Sequence, residues 1–227
     1  MLNSIRDIRH SLFYRFIMQQ DASLLALGDA STGCQWTFCP IGLSSSSIVY
    51  CGGVGRDVTF DHAIADRFHC QIWLFDPSPT GKETMSLEVN RRPEFCFVPV
   101  GISARDEILR LAPPTNPKEG SWFASSSSMG GLVSVECHSL YTLMQRHGHD
   151  HIDLLKLDIE GPEYEVIDDM LDHKLDVRQI CVEYHHGILP GFTRMQTIKS
   201  ILRLLSNGYR LIHKVGNNHT FIKKTLL

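Results

Sequence analysis

Between Ile48 and Gly81 the chain reads IVYCGGVGRDVTFDHAIADRFHCQIWLFDPSPTG. An apolar run enters a glycine-rich turn, a helical pattern follows, and a second apolar run closes on Asp76. Strand, glycine turn, helix and strand in that order make a βαβ unit, which commits a chain to a parallel sheet with helices packed on its faces. The alternation continues beyond it. Strands are expected at 48–52, 72–76, 95–100, 152–158 and 179–184, with helices at 57–69, 81–90, 138–147 and 162–172. The predicted class is α/β.

The two ends read differently. Residues 3–27 place Ile5, Ile8, Leu12 and Phe16 at helical spacing, so one or two helices are expected there. Residues 28–47 read as a loop with one extended piece at Trp36–Phe38. After a helix at 193–206, GYRLIHKVGNNHTFIKK gives two alternating segments around Gly216-Asn217-Asn218, a hairpin pattern. A length of 227 residues suits one core domain, assigned to 48–227, with 1–47 as an extension that caps the cleft or contacts a second copy in a homodimer. The segment 113–131 holds too much Pro, Gly and Ser for regular structure. It is expected to be a long loop, with exposed Trp122 and Phe123 able to close over a substrate.

Composition excludes several classes. The net charge of −3, with no basic run, argues against a nucleic-acid partner. No apolar stretch reaches membrane-spanning length, so no membrane association is expected. Seven cysteines without CxxC spacing read as reduced core thiols, which suits a cytoplasmic protein.

Gly53-Val54-Gly55 follows the first strand, and Asp76 lies at the separation expected for an acid that bonds a ribose. A dinucleotide site needs a small residue three positions after the second glycine, where Val58 stands. Asp57 would also compete with a pyrophosphate for the amides of the helix N-terminus. Both residues disfavour NAD and its oxidoreductase chemistry. They favour S-adenosylmethionine, whose ribose Asp76 would grip by accepting both hydroxyl protons.

HIDLLKLDIEGPEYEVI, from His151 to Ile167, supplies the second constellation. Its apolar run is that of a strand buried on both faces, and Gly161-Pro162 ends the strand and begins a helix. Asp158 and Glu160 then fall at the carboxyl tip. In QICVEYHHG, alternation puts Cys181, Glu183 and His185 on one face and Val182, Tyr184 and His186 on the other. If the two strands are neighbours, Asp158, Glu160, Glu183 and His185 converge. A purely structural ion pair of Lys156 with Glu183 is the bland alternative.

KLDIEGPEYE followed by QICVEYHH, together with VYCGGVGRDVTFD, WLFDPSPTG, VGIS around Gly101 and the closing GYRLIHK…HTFIKK, resembles the FkbM-type methyltransferases over residues 34–227. The resemblance implies a Rossmann-like class I S-adenosylmethionine-dependent methyltransferase fold. The sheet would be mostly parallel and end in an antiparallel hairpin, with helices on both faces, and the enzyme would methylate an oxygen of a small-molecule acceptor. It also implies cofactor contacts at Gly53, Val54, Gly55, Asp76, Pro77, Gly101, Ile102 and Asp158. Many class I enzymes carry an acid two residues before the first glycine, where this chain has Cys51; either Asp57 supplies that charge or the ammonium group is held differently.

A hydroxyl acceptor must lose its proton, and His185 is the expected base, with Asp158 as second choice and Glu183 and Glu160 as neighbouring carboxylates. A divalent cation on Asp158, Glu183 and His185 is a less favoured alternative. His147, His149 and His151 read as a solvated turn rather than a metal site. A catalytically silent protein-binding module is the remaining alternative.

Overall fold

The computed structural model describes residues 12–19, 23–114, 116, 120–124 and 131–227. Its centre is a seven-stranded sheet. Five strands run parallel: β3 (Ile48–Gly52), β4 (Gln71–Phe75), β5 (Phe95–Val98), β11 (Leu154–Leu157) and β13 (Gln179–Glu183). A hairpin of β14 (Tyr209–Val215) and β15 (Asn218–Lys223) completes it, with β15 antiparallel to β13. The order is β14-β15-β13-β11-β3-β4-β5. The fold is the expected Rossmann-like α/β arrangement.

Alternation along the central strands divides the core in two. Tyr50, Leu155, Leu157, Val182 and Tyr184 face one layer, which holds α4 (Leu140–His147), α5 (Glu163–Asp172) and α6 (Arg194–Ser206). Val49, Cys51, Leu154 and Cys181 face the other, with Phe60 and Ile64 of α2 (Thr59–Phe68). Buried on both sides, β11 and β13 must be apolar nearly throughout, as their sequences are.

Local sequence explains the helix boundaries. The Ser78 hydroxyl accepts the Gly81 N–H at 3.0 Å and starts α3 (Pro79–Ser86) with Pro79 at its first position. The helix expected at 81–90 therefore begins and ends earlier, and a 3₁₀ turn covers Glu88–Asn90. Thr193 and Gln196 form a capping box at the start of α6.

The N-terminal region departs from expectation. A helix, α1, covers residues 12–17, but Leu25–Leu27 forms strand β1, antiparallel to β2 (Trp36–Phe38). The rest of the expected helix, residues 1–11 and 20–22, lies outside the described residues. Pairing with Trp36-Thr37-Phe38 overrides the helical spacing of the apolar side chains. This hairpin belongs to the core: Trp36 and Phe38 are buried, and Gln179 of β13 exchanges two hydrogen bonds with the Cys39 backbone.

Several strands escaped the sequence reading, among them β12 (Asp176–Val177), which pairs parallel with β10 (His151–Ile152). β7 (Glu107–Ala112) and β9 (Val133–His138) pair antiparallel and form a small sheet with β6 (Gly101–Ile102) and β8 (Phe123–Ala124). Leu109, Leu111, Val133, Val135 and Cys137 alternate to build its apolar face, a pattern obscured by the loop between them. Of the expected loop 113–131, residues 115, 117–119 and 125–130 lie outside the described residues, while Phe123–Ala124 is strand.

The glycine turn is fixed by close approach. Gly53 has φ +86°, and a Cβ there would sit 1.8 Å from the Asp158 carbonyl oxygen. Gly55 has φ +56° with open space around it. Gly53→Ala should therefore cost more than about 2 kcal/mol of unfolding free energy, because backbone must move. Gly55→Ala should cost only about 1–2 kcal/mol for the left-handed conformation. Urea unfolding of both variants checks the order.

Candidate functional site

The carboxyl ends of β3, β4, β11 and β13 open into a cleft of about 1180 Å³. Its walls include Gly53, Val54, Gly55, Asp57, Asp76, Pro77, Gly101, Ile102, Asp158, Glu160, Glu183 and His185. Every residue singled out as a cofactor or catalytic candidate thus lines one space, the position where open α/β sheets hold ligands.

On the β3–β4 side, Asp76 organises the turn. Its Oδ2 accepts the Val54 and Gly55 N–H groups at 2.9 and 3.0 Å, and its Oδ1 accepts the Ser78 N–H at 2.8 Å. An ionised carboxylate offers about four acceptor positions. One remains on Oδ1, so Asp76 as it stands can take one ribose hydroxyl rather than two. Gly81 lets α3 approach: a Cβ there would lie 2.3 Å from the Asp76 carboxyl carbon. Asp57 accepts the Thr59 N–H at 2.7 Å. Burial raises its pKa, but hydrogen bonds from Thr32 and Thr59 outweigh it and hold the group below the usual range, so it stays ionised at the cleft wall. Val58 is packed in the core where a dinucleotide turn wants a small residue.

On the β11–β13 side, parallel pairing aligns Leu157 with Val182 and brings Asp158, Glu160, Glu183 and His185 together as expected. Glu160 has φ +60° and Gly161 φ +125°, so the turn into α5 is left-handed at two successive residues. That backbone is uncommon for glutamate and folds its carboxylate back toward the cleft. Glu160 Oε2 lies 3.2 Å from His185 Nε2, and Glu163 Oε1 lies 3.0 Å from His185 Nδ1. Asp158 Oδ1 is 3.8 Å from Nε2. The imidazole is thus flanked by carboxylates on both nitrogens and is only 2% exposed. Burial opposes its charge, but Glu160 and Glu163 outweigh burial and push its pKa up to about 11. Carboxylates beside both nitrogens favour the imidazolium form, so in this arrangement His185 holds its protons more tightly than the expected histidine base would. Glu183 behaves in the opposite way: burial and the neighbouring Asp158 charge raise its carboxyl to about 7.

Two important residues were not assigned a role from sequence. Glu163, fully buried, accepts the Ile159 and Gly161 N–H groups and so fixes the turn that carries Glu160. The KLDIEGPEYE spacing held that signal, because an acid just after Gly-Pro can reach back to the turn amides. Lys156 does not pair with Glu183. Its Nζ donates to the Gly53 carbonyl at 2.6 Å and lies 3.8 Å from Asp158 Oδ2. Burial works against its charge, but Asp158 and Asp61 keep it firmly protonated.

Trp122 is half-buried rather than exposed, and its Nε1–H donates to Thr80 Oγ1 at 2.9 Å. The hairpin tip at Gly216-Asn217 closes the opposite rim, where the Tyr184 N–H reaches the Asn217 carbonyl at 3.1 Å. His147 packs against Trp73 at a 38° tilt and His149 bonds the Tyr50 hydroxyl, so these rings are packed among aromatics rather than solvated.

The Methyltransferase FkbM domain profile matches residues 47–211. The chain belongs to the FkbM methyltransferase family. Its Rossmann-like, mostly parallel sheet ending in an antiparallel hairpin is the arrangement the sequence resemblance implied. No curated protein matches the chain. Among solved structures, Aeropyrum pernix fibrillarin bound to S-adenosyl-L-methionine is similar at 13% identity and TM-score 0.44, covering 79% of this chain and 66% of that one. Methanococcus jannaschii fibrillarin pre-rRNA processing protein aligns at 10% identity and TM-score 0.47, over 90% and 83% of the two chains. M. jannaschii TYW2 with AdoMet aligns at 9% identity and TM-score 0.36, over 91% and 89%. Among the described residues, no helix of the FkbM-family chain is long and apolar enough to cross a membrane.

Lys156→Met removes the one cation that reaches both the Gly53 carbonyl and Asp158. Leaving Asp158 and Asp61 without it should cost about 3 kcal/mol or more in unfolding free energy, measured by chemical denaturation at neutral pH.

Proposed function

We propose that this chain transfers a methyl group from S-adenosylmethionine to a hydroxyl of a small-molecule acceptor. The observation that carries the proposal is the division of one cleft into two halves. The Gly53–Gly55 turn, Asp57 and Asp76 form a donor half that carries two carboxylates. Asp158, Glu160, Glu183 and His185 form an acid-rich half beside it. A volume of about 1180 Å³ exceeds the ~300–1,000 Å³ usual for a single ligand and leaves room for donor and acceptor together.

In the donor half, Asp76 receives a ribose hydroxyl and Asp57 faces the ammonium group. S-adenosylmethionine supplies the activated methyl group as a sulfonium. The chain's own residues align the acceptor and exclude water, a contribution that reaches about 7–11 kcal/mol where alignment is good. In the transfer, an acceptor oxygen lone pair forms the new O–CH₃ bond while the S–CH₃ electron pair stays on sulfur. The hydroxyl proton passes to a carboxylate of the cluster, with Glu183 best poised because its carboxyl titrates near neutrality. As the imidazolium, His185 supplies the positive charge that lets Asp158 and Glu160 sit together.

Calorimetry with S-adenosylhomocysteine tests the donor half. One molecule should bind per chain, Asp76→Ala should weaken it at least tenfold, and NAD should not bind. Binding of NAD alone would overturn the proposal.

A further inference from the structure

We propose that Asp158, Glu183 and His185 form a binding site for one divalent cation of the Mg²⁺/Mn²⁺ class, placed on the acceptor side of the cleft. Among the described residues these three alone bring His or carboxylate ligand atoms so close, all within 4.8 Å of one another. Asp158 directly follows β11, Glu183 ends β13 and His185 lies two residues beyond it, so all three sit at the carboxyl ends of neighbouring parallel strands.

The distances fit a shared ion better than a hydrogen bond. Asp158 Oδ1 and His185 Nε2 are 3.8 Å apart, too far for a hydrogen bond. Two ligands each about 2.1 Å from one ion lie about 3–4 Å apart, according to the angle between them. The other Asp158 oxygen, Oδ2, faces Lys156, so Oδ1 is held toward the histidine. With all three ligand atoms within 4.8 Å of one another, modest side-chain movement would bring them onto one ion.

The shell behind His185 is an independent observation. Fully buried Glu163 lies 3.0 Å from Nδ1 and is itself held by the Ile159 and Gly161 amides. A carboxylate on the far nitrogen, itself anchored, is the arrangement that orients a metal-bound histidine and keeps Nε2 pointed at the ion. Glu160 lies 3.2 Å from Nε2 in this structure; an arriving cation displaces the Nε2 proton, which leaves to solvent, and takes Glu160's place, so cation binding should strengthen as pH rises. Two carboxylate oxygens and one imidazole nitrogen, with the cleft open beside them, suit Mn²⁺ and Mg²⁺ and leave positions for water or an acceptor oxygen. Such an ion would polarise the acceptor hydroxyl. That use rests on the methyl-transfer reading; the binding site itself does not.

Titration of the whole chain with Mn²⁺, followed by electron paramagnetic resonance, tests the site. One ion per chain should bind, at least tenfold more weakly in Glu183→Gln and in Asp158→Asn. S-adenosylhomocysteine affinity in Glu183→Gln should stay within a few-fold, and the thermal unfolding midpoint reports whether each variant is folded. Absence of bound Mn²⁺, or equal binding by wild type and by a folded variant, overturns the cation site. Loss of homocysteine-compound binding in the wild type with Mn²⁺ still bound would overturn the proposed function and leave this site standing.

Discussion

One buried ammonium ties the two halves of the cleft. Lys156 sits mid-strand among apolar neighbours, bonds the Gly53 carbonyl and faces Asp158. A lysine is costly to bury unless paired, and here each partner belongs to a different functional half. The Gly53 backbone presses on the Asp158 carbonyl from the same direction, at a distance only glycine allows. Turn geometry on β3 and carboxylate placement on β11 are consequently one structural problem with one solution.

The acid-rich half is an electrostatic compromise. Asp158, Glu160, Glu163 and Glu183 crowd around His185, with Lys156 below. Burial and mutual repulsion push Asp158 and Glu183 toward the neutral form, while the imidazolium draws Glu160 the other way. A cluster so poised favours positive charge in its midst, and Lys156 and the His185 imidazolium supply it. The strained Glu160 backbone and the buried Glu163 anchor hold this crowding in place.

Much of this was legible in the sequence. The order of strands and helices followed from apolar runs and glycine punctuation, and Asp158, Glu160, Glu183 and His185 converged because period-two alternation and strand adjacency left them nowhere else to go. What the sequence withheld was partner choice. Nothing local says that His185 lies between Glu160 and Glu163, or that Lys156 turns to Gly53 instead of Glu183. Residues Leu25–Leu27 were misread because side-chain spacing over a few residues does not distinguish a helix turn from a short strand until its partner is known. β7 and β9 were missed for a similar reason, since their pairing spans a long loop.

The terminal hairpin has a consequence for how such enzymes diverge. Because β15 runs against β13, the two-residue tip at Gly216-Asn217 hangs over the mouth of the cleft while both strands stay locked in the sheet. Lengthening that tip, or exchanging its side chains, would reshape the entrance without moving a single ligand-facing carboxylate. Evolution can therefore retune which acceptor enters by editing an ornament at the doorway and leaving the machinery behind it alone.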